Sequence, residues 1–141
     1  LKIYAESSAV LTWLFGEPEG EMIRKVLGKA EVIMASDLTL VESERVLIRA
    51  QKIAGVTEAQ AAARRAVLTQ AAAHWHFLHL SQEVLERARR PFPNEPVRTL
   101  DALHHSSALL GRSAVPGLTF LSLDERIRSN ARGLGFDLFP Q

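Results

Sequence analysis

The sequence predicts a three-layer α/β/α fold, in which helices cover both faces of a mostly parallel sheet of four to five short strands. Short apolar runs alternate with one or two helical segments along the whole chain. These runs are apolar at successive positions, as is typical of strands that are buried on both faces. The chain has 141 residues and contains no internal repeat or long linker, so residues 1–141 are predicted to form a single domain.

In the first half of the chain, apolar strand runs alternate with helices that begin at capping residues and end at glycines. The predicted strands cover residues 1–5 and 31–35. The helices are predicted to begin at Ser7 or Ser8, Glu17, Ser36 and Thr57, and to end at Gly16, Gly28, Gly55 and residue 73.

In the second half, a proline-rich segment over residues 91–96 cannot form a regular helix. A helix therefore begins after it, with Thr99 as the predicted N-cap and Asp101 in the first turn, where a negative charge is favourable. The other predicted elements are strands over 76–80, 118–122 and 136–139, a helix from Ser81 to Arg90, and a helix from Asp124 to Leu134.

Composition excludes several classes of protein. The absence of cysteine excludes disulfides and zinc–thiolate sites. The 17 lysines and arginines nearly balance the 16 acidic residues, so net charge does not by itself indicate a nucleic-acid partner. No apolar run approaches the roughly 20 residues of a membrane span, and no secretory signal is visible. We therefore expect a cytoplasmic protein without a membrane partner.

Four acidic residues follow predicted strands or begin predicted helices: Glu6, Glu42, Asp101 and Asp124. In parallel sheets, sites form outside the carboxyl ends of the strands, where the strand order reverses. If the four carboxylates meet there, each raises the pKa of the others, and a divalent cation would relieve this repulsion. Oxygen ligands favour Mg²⁺ or Mn²⁺ over zinc. Taken one by one, the same residues also fit ordinary strand-end, solvated-helix and helix-capping roles.

Four motifs resemble those of the PIN-domain family, and within it the VapC-type toxin ribonucleases of type II toxin–antitoxin systems. Residues 4–9 read Tyr-Ala-Glu-Ser-Ser-Ala, and residues 36–42 read Ser-Asp-Leu-Thr-Leu-Val-Glu. Residues 101–104 read Asp-Ala-Leu-His, and residues 121–126 read Leu-Ser-Leu-Asp-Glu-Arg. Each motif alone is weak, but all four occur in the family's order and span nearly the whole chain.

The resemblance implies a PIN-like α/β/α fold and a metal-dependent endoribonuclease that acts as the toxin of a VapBC-type pair. It implies that Glu6, Glu42, Asp101 and Asp124 form a catalytic quartet that binds Mg²⁺ or Mn²⁺. The implied substrate is structured RNA, such as tRNA or rRNA. The implied partners are a cognate antitoxin and a second copy of the chain in a homodimer.

One position departs from the family pattern, because Glu6 stands where these proteins normally have Asp. Glutamate keeps the carboxylate but extends it by about one methylene, and Mg²⁺ requires near-ideal octahedral geometry. An alternative is therefore an attenuated PIN module that binds RNA or antitoxin without efficient cleavage. A second alternative is a phospho-receiver fold, but that fold needs a late lysine, and no lysine follows Lys52.

Other residues are candidates for supporting roles. Ser7 and Thr99 carry hydroxyls that could orient a metal-bound water or a phosphate, although both also fit simple capping. Arg98, Arg89 and Arg90 are candidate RNA contacts, of which Arg98 is favoured because it is close to Asp101 in sequence. The two histidines that follow Asp101 by three and four residues share its helix face, which allows either a proton-shuttling role or simple packing.

Overall fold

The computed structural model describes all 141 residues, which form five strands and seven helices. The strands are β1 (Lys2–Ala5), β2 (Val32–Ser36), β3 (His76–Leu78), β4 (Leu118–Leu121) and β5 (Leu138–Phe139). The helices are α1 (Ser7–Leu14), α2 (Gly20–Lys29), α3 (Asp37–Ile53), α4 (Glu58–Ala72), α5 (Gln82–Ala88), α6 (Thr99–Ala114) and α7 (Glu125–Gly133). None of these helices is both long and apolar enough to cross a membrane.

The strands form one sheet in the order β3-β2-β1-β4-β5, and every neighbouring pair is parallel. The chain begins at the central strand, adds β2 and β3 on one side, and then adds β4 and β5 on the other. The strand order therefore reverses between β1 and β4. In a parallel sheet, the carboxyl ends beside such a reversal are the expected place for a ligand site.

Side chains of the central strand alternate between two separate cores. Ile3 and Ala5 belong to a core on the face covered by α1 to α4. Tyr4 belongs to a second core, with Ala108 of α6 and Ile127 of α7. The predicted three-layer α/β/α fold is confirmed, and the sheet is parallel throughout.

Three predicted helix starts are displaced. The N-cap of α1 is Glu6, so neither Ser7 nor Ser8 caps it. The N-cap of α6 is Arg98, with no capping side chain, and Thr99 is the first helical residue. Helix α2 begins at Gly20 instead of Glu17, and it lies close to α1 there: a Cβ at Gly20 would lie 2.9 Å from the carbonyl oxygen of Thr12. For α1 and α6 the helix starts where the backbone leaves the extended conformation, at Glu6 and Arg98, which a neighbouring polar residue does not reveal.

Several element ends also differ from the prediction. Helix α2 continues through Gly28 to Lys29, and α5 ends at Ala88, before Arg90. The edge strands β3 and β5 are shorter than the apolar runs 76–80 and 136–139. Each edge strand pairs with only one neighbour, so it extends only as far as that neighbour offers hydrogen bonds.

Candidate active site

The four predicted acids all lie around the carboxyl ends of the central strands. Glu6 directly follows β1, and Glu42 is in the second turn of α3, which follows β2. Asp101 is in the first turn of α6, and Asp124 caps α7 just after β4. The four residues come from distant parts of the chain, and the reversal of strand order brings their elements to one edge of the sheet.

Two serine hydroxyls hold the Glu6 carboxylate. Glu6 is only 3% exposed, and its Oε2 accepts hydrogen bonds from Ser8 Oγ at 2.5 Å and Ser122 Oγ at 2.8 Å. Burial raises the pKa of Glu6 above its ordinary value, although the charge of His104 and the two serine hydrogen bonds lower it in part. The Oε1 atom accepts none of these hydrogen bonds.

A serine and a buried histidine hold the Glu42 carboxylate. Its Oε1 accepts from Ser7 Oγ at 2.9 Å and lies 2.5 Å from His104 Nε2, while Tyr4 Oη lies 3.0 Å from His104 Nδ1. Burial raises the pKa of Glu42, but hydrogen bonding and charge from His104, with the Ser7 hydrogen bond, bring it below its ordinary value. The ionised carboxylate can only accept, so His104 Nε2 donates to it.

The other two carboxylates are less constrained by the protein. Asp124 Oδ1 accepts from the backbone amides of Arg126 at 2.9 Å and Ile127 at 3.4 Å, as an N-cap does. Asp101 accepts no hydrogen bond from any side chain or backbone group. Burial and the charge of Asp124 raise the pKa of Asp101, against smaller opposing effects of Arg126, His104 and Arg98. Asp101 is thus a carboxylate without a protein partner, close to a second negative charge.

The supporting residues predicted from the sequence have different environments. Ser7 contacts Glu42, whereas Thr99 is exposed and forms no hydrogen bond with any of the four acids. Arg98 lines a cavity of about 410 Å³ together with Asp101. Arg89 and Arg90 line a different cavity, of about 320 Å³, which Asp101 does not reach.

The sequence did not predict that Tyr4, Ser8 and Ser122 contact the acids or His104. Tyr4 reads as an ordinary strand residue, and Ser8 as a helix cap, because neither pattern shows which distant side chain lies opposite. The two histidines of α6 differ in the structure: His104 hydrogen-bonds Glu42, whereas His105 packs between Phe92 and Phe120. No signal in the sequence indicated the contact between His104 and Glu42, which are 62 positions apart.

The family model of the PIN domain matches residues 3–133, which is nearly the whole chain. This chain belongs to the PIN-domain family. The family assignment agrees with the four sequence motifs and with the parallel α/β/α sheet.

Known proteins resemble this PIN domain along its whole length. Ribonuclease VapC46 of Mycobacterium tuberculosis is 32% identical over 133 residues, which cover 94% of this chain and 92% of the relative. A crystal structure of M. tuberculosis VapC20, described as a sarcin–ricin loop cleaving toxin, has a TM-score of 0.63 at 15% identity and 96% coverage of both chains. A toxin–antitoxin complex from Klebsiella pneumoniae has a TM-score of 0.61 at 17% identity and 94% coverage of both chains. At these identities the two structures support the fold alone.

The four acids of this PIN domain are suited to a hard divalent cation, because each would bind it through carboxylate oxygens. Glu6 and Glu42 each keep one carboxylate oxygen without a protein partner, and Asp101 keeps both. As the side chains are placed, no three His, Asp or Glu residues lie close enough to hold an ion together. Cation binding would therefore draw Asp101 and Asp124 together with the free oxygens of the two glutamates.

Proposed function

We propose that this PIN domain is a metal-dependent endoribonuclease, the toxin of a VapBC-type toxin–antitoxin pair, which hydrolyses phosphodiester bonds in structured RNA such as tRNA or rRNA. The observation that carries the proposal is that the elements bearing the four acids meet at the strand-order reversal of a PIN fold. The match to ribonuclease VapC46 over nearly the whole chain supports the ribonuclease assignment. VapC20, which is described as a sarcin–ricin loop cleaving toxin, supports structured RNA as the substrate.

The proposed cofactor is Mg²⁺ or Mn²⁺, held by Asp101 and Asp124 with the free oxygens of Glu6 and Glu42. When bound, such an ion supplies Lewis-acid stabilisation of the phosphodiester and a water of lowered pKa. The role of the protein is to place the four carboxylates around the ion. Burial and the charge of Asp124 raise the pKa of Asp101, and a bound cation would stabilise the ionised form of both carboxylates against these two effects.

Residues behind the quartet position its carboxylates. Ser8 and Ser122 hold Oε2 of Glu6, so the extra methylene of glutamate turns one oxygen toward the serines and leaves the other free. His104, held by Tyr4, positions the carboxylate of Glu42. Such outer contacts orient ligands and typically change metal affinity or activity about 10- to 100-fold when removed.

The proposed partners follow from the same assignment. The structural neighbour from K. pneumoniae is a toxin–antitoxin complex, which supports a cognate antitoxin as the partner of this chain. A homodimer located in the cytoplasm completes the proposal.

The deciding experiment is cleavage of total tRNA and ribosomal RNA by the purified chain, freed of any partner, with Mg²⁺, with Mn²⁺ and with chelator. We expect cleavage that needs the metal and falls at least about 100-fold in Asp101→Asn, because Asp101 has no structural partner and serves only the site. Asp137→Asn makes the same chemical change at an exposed position before β5 and should leave cleavage unchanged. Cleavage that survives chelator or Asp101→Asn would contradict the mechanism.

A further inference from the structure

A cavity of about 410 Å³ opens beside Asp101, between the proline-rich segment, α6 and α7. Its size lies within the roughly 300–1,000 Å³ of typical small-ligand sites. Arg98 and Arg126 line it from opposite elements, and His105 forms part of its wall. Of the four acids, only Asp101 lines this cavity. None of the residues that hydrogen-bond Glu6 or Glu42 lines it.

The cavity is suited to an anion. Arg98 is exposed and forms no ion pair, and the Arg126 side chain is 61% exposed, with its nearest carboxylate, Asp124, 3.6 Å away. Arg98 is also the N-cap of α6 and brings no capping side chain, so the first-turn amides of that helix remain unpaired by side chains. Guanidinium groups at an uncapped helix N-terminus are a favourable environment for phosphate.

His105 supplies a second, independent indication of a ligand. It is fully buried, and neither ring nitrogen has a hydrogen-bond partner. Buried polar groups without partners are destabilising, so they are rare unless a ligand or water satisfies them. Burial, with the nearby charges of His104 and Arg87, lowers the pKa of His105 to about 4. The neutral ring therefore offers one donor and one acceptor at physiological pH.

We propose that this cavity binds the RNA nucleotide next to the scissile phosphodiester, with Arg98 and Arg126 contacting its phosphate and His105 hydrogen-bonding its ribose 2′-hydroxyl. A 2′-hydroxyl is both donor and acceptor, which matches the neutral imidazole, and it is the group that distinguishes RNA from DNA. The inference rests on the proposed ribonuclease function, because it makes the cavity a subsite of that same active site. In this proposal Arg98 and Arg126 increase the affinity for RNA, and His105 distinguishes RNA from DNA.

The phosphate contact is tested by binding of a fluorescein-labelled RNA hairpin to the full chain in chelator, where cleavage is prevented. Arg98→Ala should weaken binding about tenfold, as loss of a charged hydrogen bond does. It should also reduce the salt dependence of log Kd by about 0.7 to 0.9, the contribution of one phosphate. Arg49→Ala removes an exposed arginine of α3 that forms no ion pair, and should change neither quantity.

The sugar contact is tested with a DNA hairpin of the same sequence. His105→Phe should weaken RNA binding about fivefold and leave DNA binding within about twofold, because the apolar ring keeps the packing and loses the hydrogen bonds. Thermal unfolding of His105→Phe checks the fold, and His105→Leu replaces it if the larger ring does not fit. Equal losses for RNA and DNA, or no loss for either, would overturn the role of His105.

The two proposals fail in distinguishable ways. If the wild-type chain cleaves RNA but Arg98→Ala binds RNA like Arg49→Ala, the subsite is wrong and the ribonuclease assignment stands. If the chain cleaves no RNA under any condition while Arg98→Ala weakens RNA binding, the anion site stands and the proposed activity is wrong.

Discussion

The two glutamates and the two aspartates of the candidate site differ in how many hydrogen bonds the protein donates to them. On the glutamate side, Glu6 and Glu42 each accept two hydrogen bonds at one oxygen, from serine hydroxyls and from His104. On the aspartate side, Asp124 accepts only backbone amides, and Asp101 accepts nothing. The protein therefore positions the two glutamates by side-chain hydrogen bonds, whereas it donates no side-chain hydrogen bond to the two aspartates, of which Asp101 lines the cavity.

The difference separates positioning from binding. The hydrogen bonds that bring the pKa of Glu42 below its ordinary value stabilise the fold, whereas the serine hydrogen bonds to Glu6 only partly offset the burial that raises its pKa. A carboxylate such as Asp101, whose pKa is raised by burial and by Asp124, contributes little to stability and gains most from a cation. Variants on the two sides should therefore affect stability and activity in opposite proportion.

The largest stability effect is expected from His104→Leu. This change leaves the buried hydroxyl of Tyr4 without its partner and removes the donor to Glu42. Leaving such groups unpaired should lower the free energy of unfolding by about 3 kcal/mol in urea denaturation at neutral pH. Tyr4→Phe removes only the hydroxyl and should cost about 1 kcal/mol. A loss below about 1 kcal/mol for His104→Leu would show that the glutamate side is not held by this network.

The second largest expected effect is a change in the pH dependence of stability, caused by His105 beside Asp101. The pKa of His105 is lowered to about 4 in the folded state, from an ordinary value of 6.5. In this pH range His105 is protonated in the unfolded chain but stays neutral in the folded chain. The free energy of unfolding therefore falls as the pH falls from 6.5 toward 4. His105→Phe removes this linkage and should lose about 2 kcal/mol less than wild type between pH 7 and pH 5.

The measurement for His105 is denaturant unfolding of both proteins across this pH range. The circular dichroism spectrum of His105→Phe at neutral pH serves as the control for folding. Parallel pH profiles for the two proteins would show that His105 is not the group responsible for the acid loss.

The smallest stability effect is expected where the activity effect is largest. Asp101→Asn should change the free energy of unfolding by no more than about 0.5 kcal/mol, because the carboxylate has no partner to lose. The same unfolding measurement on Ser122→Ala should show a loss of about 1 to 2 kcal/mol, because Glu6 and the amide of Asp124 both lose a hydrogen bond. Equal losses for the two variants would erase the distinction between the two sides.

Much of the fold was predictable because its signals are local. Continuous apolar runs marked each strand, and the predicted cap at Ser36 is confirmed, since its hydroxyl accepts from the amide of Leu38. The motifs also identified the PIN-domain family. The boundaries at Thr99 and Gly28 were wrong, because a helix end depends on packing and backbone geometry that a capping residue does not reveal.

The candidate site was predictable only in its acids. Glu6, Glu42, Asp101 and Asp124 could be assigned to the ends of elements, and their roles as metal ligands remain a prediction. Which acid is held and which is free could not be read from the sequence. That depends on Ser122 and His104, which lie far from their partners along the chain, and on Ser8, which donates to the carboxylate two residues before it.

By itself, the sequence determined the order of strands and helices, the two faces of the sheet and the family, because periodicity, caps and motifs act within a few residues. Only the tertiary structure decided that Tyr4 and His104 hold Glu42, that Asp101 stays unpartnered, and that an unpaired His105 lines a cavity beside it. These features arise where residues about 100 positions apart meet, as Tyr4 and His104 do. Contacts at that separation depend on how helices pack over the sheet, and no local pattern specifies them.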